Sequence, residues 1–278
     1  MRLPPTLVAM AAIAAPIVVP TAAAQTAPPV IHLPSAAPAP PVVQVPLAVA
    51  APPAVPAPVS AEARALSQEI ALLVNPPQTM TDYFRADSFR LQMRAGFSSN
   101  PGLAQLESEH PGILDAVLRR IQPLLADEMT KLVPDMIDRI AAIYAERLTV
   151  PEMREAAIFY RSPLGQRVIA GINAQAFKQG VDIGMRNADD GSDTTARQVQ
   201  SVATSAGWTA LSTFSAQERT EILRFSTAPT GRRLSALAPA VSATVAAWVN
   251  EPRPEVQARI NDAMLEEAGA FIANEKKP

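Results

Sequence analysis

The sequence predicts an all-α fold: a helical bundle of two related helix–turn–helix units, preceded by a disordered Ala/Pro-rich arm. Three observations predict it. Aromatic residues make up only 5% of the chain although hydrophobic residues make up 48%, so the apolar set is mainly Ala, Val, Leu, Ile and Met. A set dominated by Ala, Leu, Ile and Met favours helix over sheet. Apolar residues recur at three- and four-residue steps through most of the chain after Ser60. Finally, Leu148 to Val168, LTVPEMREAAIFYRSPLGQRV, returns as Phe214 to Leu234, FSAQERTEILRFSTAPTGRRL, without a gap.

The two stretches pair at an offset of 66 residues, the difference between Gly231 and Gly165. The pairs are Thr149 with Ser215, Glu152 with Glu218, Glu155 with Glu221, Phe159 with Phe225, Pro163 with Pro229, Gly165 with Gly231 and Arg167 with Arg233. Each stretch opens with a capping box, Thr149 with Glu152 and Ser215 with Glu218. Met153, Ala156, Ala157 and Tyr160 share one helical face, which reads Ile222, Leu223 and Ser226 in the second stretch. Proline disfavours helical backbone in the residue before it, so both helices end at the corner, at Ser162 and at Ala228. Ser162 caps the next helix with Pro163 first in it. Ala228 has no capping side chain. Glycine inside a helix costs about 1 kcal/mol against alanine, so Gly165 and Gly231 point to another backbone passing close by. The recurring charges predict Glu–Arg pairs across each corner, Glu155 with Arg167 and Glu221 with Arg233.

The pattern of Leu148, Thr149, Glu152, Met153, Phe159, Tyr160, Ser162, Pro163 and Gly165 resembles the uncharacterised bacterial family labelled domain of unknown function 2059. The resemblance runs from Ala61 to about Gly184 and is sharpest over Thr149 to Gly165. It implies an exported, mostly helical protein and supplies no reaction, substrate or active-site residue. The second stretch departs from it at Arg219, Ser226 and Ala228.

The chain divides into residues 1–24, a signal peptide; 25–59, the arm; 60–190, a helical domain with the first unit; and 191–278, the second unit packed on the first. Arg2 precedes an apolar core from Leu7 to Val19, Pro20 breaks it, and Ala22 to Ala24 offer a cleavage site. This segment is short for a membrane span, which needs about 20 apolar residues. The arm is rich in Ala, Pro and Val, with His32 and no Asp, Glu, Lys or Arg. Such a run favours extended polyproline-like backbone, reaching on the order of 100 Å.

Within the folded part, Leu66, Ile70, Leu73 and Val74 mark a first helix. Thr79 to Phe97 reads as a second, with Met80, Phe84, Phe89 and Met93 inward and Arg85, Arg90 and Arg94 on a solvated face. Ser98 to Gly102 reads as a loop, with Leu103 to His110 a helix end or loop. From Ile113 to Arg147 one apolar stripe runs through Pro123 and Pro134, and an interior proline costs about 3 kcal/mol or a kink, so two or three helical pieces are expected. After the first unit, which ends near Met185, a polar link from Asn187 to Asp193 leads to helices over Thr194 to Ser212, the second unit, Pro229 to Asn250 and Glu255 to Asn274. Asp193 is a candidate cap, and Val199, Val202, Ala206, Trp208, Trp248 and Leu265 are assigned to inward faces.

The chemistry of catalysis is thin. There is no cysteine, which removes thiol nucleophiles, cysteine metal sites and lipidation at cysteine. His110 is the one histidine of the folded part; beside Glu107 and Glu109 it suggests a metal, but adjacent residues do not converge on one point. Asp189, Asp190 and Asp193 lack the spacing of a calcium loop. No phosphate-binding, dinucleotide-binding or nucleophile-elbow motif is found. A net charge of −2 argues against nucleic acid, which leaves a basic footprint. The resulting expectation is a non-enzymatic protein exported to the periplasm or beyond, without cofactor or metal, that binds an envelope protein. The alternative is a carrier of a small apolar ligand or lipid in a pocket between helices.

Overall fold

The computed structural model describes residues 59–275; residues 1–58, on which the expected signal peptide and arm fall, and residues 276–278 lie outside them. The described residues form eleven helices and no strand. In order these are α1 (Ala61–Val74), α2 (Pro77–Arg85), α3 (Asp87–Ser99), α4 (Pro101–Glu109), α5 (Ile113–Arg147), α6 (Val150–Arg161), α7 (Pro163–Asp190), α8 (Ala196–Ser212), α9 (Ala216–Thr227), α10 (Pro229–Val249) and α11 (Pro254–Glu275).

Helix α5 is the axis, with α1, α2, α3, α10 and α11 packed against it. Its apolar stripe explains this, since Ile113, Ile121, Met129, Val133, Met136, Ile140 and Tyr144 are all buried. The helix is continuous, contrary to the two or three pieces expected. Pro123 and Pro134 both sit on its exposed side, where water can satisfy the carbonyls that proline leaves unpaired. Helix α8 lies against α7 and α10, and α1 against α6. Six of the methionines (Met80, Met93, Met129, Met136, Met153 and Met264) are buried filler in one hydrophobic core cluster.

Other boundaries differ from the sequence reading. The single helix over Thr79 to Phe97 is two, α2 and α3, broken at Ala86. The buried residues explain the break: Met80 and Phe84 are four apart, as are Phe89, Met93 and Phe97, but five residues separate Phe84 from Phe89. A straight helix would put the two sets on different faces. The corner turns both inward, their rings 5.0 Å apart, and buried Gln122 donates to the carbonyls of Phe84 and Ala86, both at 2.9 Å. The loop expected over Ser98 to Gly102 is a cap: Asn100 Oδ1 accepts from the amides of Gly102 and Leu103, and α4 starts at Pro101. Helix α7 continues past Met185 to Asp190 and ends at Gly191, whose φ of 65° suits glycine. Thr195, not Asp193, caps α8, through a capping box with Gln198.

Three residues assigned inward face out: Trp208 is 50% exposed, Leu223 44% and Leu265 57%, whereas Trp248 is fully buried. Trp208 lies nine residues from buried Val199, half a turn round the helix at 100° per residue. Arg94 is also not simply solvated. It forms ion pairs with Glu107 and Asp115, tying α3 to α4 and α5.

Candidate functional site

The residues singled out by the recurring pattern converge on one seam, where the corner α6–α7 meets the corner α9–α10. Both capping boxes form as read. Thr149 accepts from the amide of Glu152, whose carboxylate returns to the amide of Thr149 at 2.7 Å; Ser215 and Glu218 repeat the arrangement at 2.9 Å. Both helices stop at the residue before proline. Ser162 Oγ accepts from the amide of Gly165 at 3.0 Å, while Ala228 caps α10 without a side chain.

The two glycines sit against the carbonyl of the preceding helix. A Cβ on Gly165 would lie 2.0 Å from the Phe159 oxygen, and one on Gly231 2.1 Å from the Phe225 oxygen. Either contact is far inside van der Waals range. The Phe159 carbonyl is held in place by the amide and the hydroxyl of Ser162, at 3.0 and 2.7 Å, so only glycine lets the corner close this tightly.

At the centre, Phe159 and Phe225 stack face to face, centroids 3.8 Å apart and planes 6° apart. They are equivalent positions of the two stretches, brought face to face by the fold. The charges follow it. The Glu–Arg pairs expected within each corner are replaced by contacts across the seam. Arg167 pairs with Glu218 and lies over the ring of Phe214, 5.4 Å from its centroid. Arg233 lies close enough to Glu152 for its charge to favour the carboxylate. Glu155 accepts from the hydroxyl of Thr230. Glu221 is exposed.

The carboxyl groups carry the imprint of this geometry. The Arg167 guanidinium, helped by the amide and hydroxyl of Ser215, holds the Glu218 carboxyl down at about 2. Glu152 is lowered mainly by the Thr149 amide, with Arg233 adding to it. Tyr160 and Tyr144 are fully buried, and burial pushes both phenols up.

Above the stacked rings lies an open groove of about 420 Å³. Its lining is four equivalent pairs: Glu155 with Glu221, Ile158 with Arg224, Phe159 with Phe225, and Ser162 with Ala228. Ile158 is 68% exposed, the most exposed large hydrophobic residue of the described chain. Neither Ile158 nor Arg224 was marked by sequence; Ile158 falls between two recurring positions and looks like one more apolar residue of an apolar helix. The groove offers an apolar floor, two carboxylates and one guanidinium.

Residues 134–186 match the family model described as an uncharacterized protein conserved in bacteria (DUF2059). The DUF2059 match thus covers the last part of α5 from Pro134, all of α6 and most of α7, and starts well after Ala61, where the resemblance begins. It includes the first corner and stops before the second. No curated protein and no solved structure matches the chain.

Elsewhere, the acidic and histidine groups considered for a metal turn to separate partners. Glu107 accepts from the amides of Gly112 and Leu114, at 3.1 and 3.0 Å, at the start of α5. Glu109 accepts from the side-chain amide of Gln105, and His110 Nδ1 lies 2.6 Å from Glu275. Among the described residues no group of three or more His, Cys, Asp or Glu could hold a metal ion, and no helix is long and apolar enough to cross a membrane.

Proposed function

We propose that this is a non-enzymatic protein of the cell envelope, exported to the periplasm or beyond, whose two related helix–corner–helix units form a docking surface for another envelope protein. The units are read as an internal duplication. Supporting this, burial also repeats at the 66-residue offset outside the matching sequence: Val133, Met136, Ile140 and Tyr144 of α5 correspond to Val199, Val202, Ala206 and Ala210 of α8, all buried.

The observation that carries the reading is the groove over Phe159 and Phe225. Its exposed Ile158 and aromatic floor suit an apolar anchor, and the carboxylates of Glu155 and Glu221 suit a basic residue beside it. The partner class is therefore a segment of an envelope protein with an apolar side chain flanked by Lys or Arg. Phosphoryl, acyl or redox chemistry has no set of groups to draw on here.

The carrier reading has less support. The apolar hollow between Phe97, Leu103, Leu106, Leu114, Met264 and Leu265 holds about 40 Å³, against about 300–1,000 Å³ for a ligand pocket. The test is photo-crosslinking in cells from a benzophenone side chain at position 158. A reproducible envelope partner, lost when Glu155 and Glu221 are both changed to Lys, is the expected result. Crosslinks that are absent, or indifferent to those charges, would overturn the reading.

A further inference from the structure

A second surface lies in the corner between α8 and α9. Both helices wall the hollow there: Trp208, Leu211 and Ser212 come from the end of α8, Arg219 and Leu223 from α9. Trp208 and Leu223 are two of the exposed large hydrophobic residues of the described chain. Arg219 is exposed too and makes no ion pair among the described residues. With the two units read as copies, as proposed above, the same corner 66 residues earlier is α5–α6. There Trp208, Leu211, Arg219 and Leu223 become Ala142, Ala145, Met153 and Ala157.

The first corner carries a helix. Helix α1 packs against both α5 and α6, with Ala63, Ser67, Ile70, Ala71 and Val74 buried. Its Glu62 and Glu69, two turns apart, pair with Arg154 and Arg161 of α6. Its Gln68 donates to Asp138 of α5 at 2.9 Å. Met153 and Ala157 of α6 are fully buried. The second unit has no counterpart of α1 among the described helices: α9 packs on α10, and α8 on α7 and α10. A corner built to face water would replace its apolar residues by polar ones. Here alanine gives way to tryptophan at 208 and to leucine at 223, and one position, 219, turns basic. Exposed apolar surface with Trp and Arg at its centre is the make-up of an interface.

We propose that the α8–α9 corner is an open seat for an amphipathic helix of another protein, occupied as α1 occupies α5–α6. The incoming helix carries small and aliphatic residues inward, since Trp208 and Leu223 already fill part of the corner, and a carboxylate for Arg219. It binds as a helix in a groove between two others. This charge preference is the opposite of that of the groove over Phe159 and Phe225, so the two surfaces take different segments.

The chain's own α1 supplies the probe. A peptide of residues 60–75 is stapled between positions 61 and 65, both exposed in the fold, because so short a helix is marginal alone. A second peptide carries Ile70→Ala to make room for the larger residues of the corner. Added to the full chain, at least one should shift Trp208 emission to shorter wavelength and saturate; Trp248, the other tryptophan, is already fully buried. Leu223→Glu, which puts a carboxylate on the apolar floor, should weaken binding at least about tenfold. Arg219→Glu should weaken it about threefold or more, and Leu91→Glu, on exposed α3, should leave it unchanged. No saturable shift with either peptide, or an affinity indifferent to either α9 substitution, would overturn the proposal. So would equal binding by a Ser67→Pro peptide, which cannot hold the helix. Crosslinking from position 158 reads the other groove, so either result can fail without the other.

Discussion

Gly165 and Gly231 show how little room a single side chain can have. Each Cβ would fall on a fixed carbonyl rather than on a flexible side-chain tip. Overpacking of this kind costs about 1–3 kcal/mol, partly offset by the better helix propensity of alanine, about 1 kcal/mol. Gly165→Ala and Gly231→Ala should therefore each lower stability in urea unfolding at neutral pH. A gain in stability would mean the corners are looser than described. Tyr144 presents the opposite case. Its hydroxyl is buried without a hydrogen-bond partner, so Tyr144→Phe removes an unsatisfied group and should leave stability unchanged or raise it by up to about 1–3 kcal/mol. A lower melting temperature would reveal a partner for that hydroxyl. For Glu218 the sign runs with acid. Its folded pKa is depressed to about 2 from an ordinary value of 4.5, so the contribution of the pair is full above about pH 4.5 and is lost as pH falls through about 2. Arg167→Gln should weaken the fold at pH 7 and flatten the acid-side decline between those limits, read by urea midpoints across pH.

At the scale of elements, most of the helices were legible because their signals are local. Capping boxes, prolines at the first helical position and the period of the α5 stripe involve residues within a few turns of one another. The break between α2 and α3 was not taken from the sequence, although the five-residue step from Phe84 to Phe89 encodes it, because the corner becomes favourable only once Gln122 from α5 serves the carbonyls it exposes. Gln122→Leu, which keeps the size but removes the donor, should cost about 1–3 kcal/mol. Hydrogen exchange should locate the loosening at residues 84–90. Uniform protection after the substitution would contradict the role given to Gln122. The prolines of α5 illustrate the same limit from the other side. Periodicity alone does not say that Pro123 and Pro134 share the solvent face on which a helix tolerates them.

Across the whole molecule, the sequence revealed which stretches are alike but not what lies opposite each of them. Glu155 and Arg167 were paired within one corner because they are close in sequence; the fold instead gives Arg167 to Glu218 and Glu155 to Thr230. The partners were missed because a contact across 51 or 75 residues depends on how the two corners dock. The groove exists only because of that docking, which is why Ile158 and Arg224 carried no mark beforehand. Trp208 was likewise assigned inward for its hydrophobicity, when its position round α8 turns it to the outside.

The facing of equivalent residues across one seam is the claim on which the rest depends, and the stacked pair Phe159 and Phe225 tests it. A double-mutant cycle with Phe159→Ala, Phe225→Ala and the combination, measured by urea unfolding, should give a coupling energy of about 0.5–1.5 kcal/mol. Effects that add to within about 0.3 kcal/mol would mean that the two rings do not meet and that the corners do not face each other.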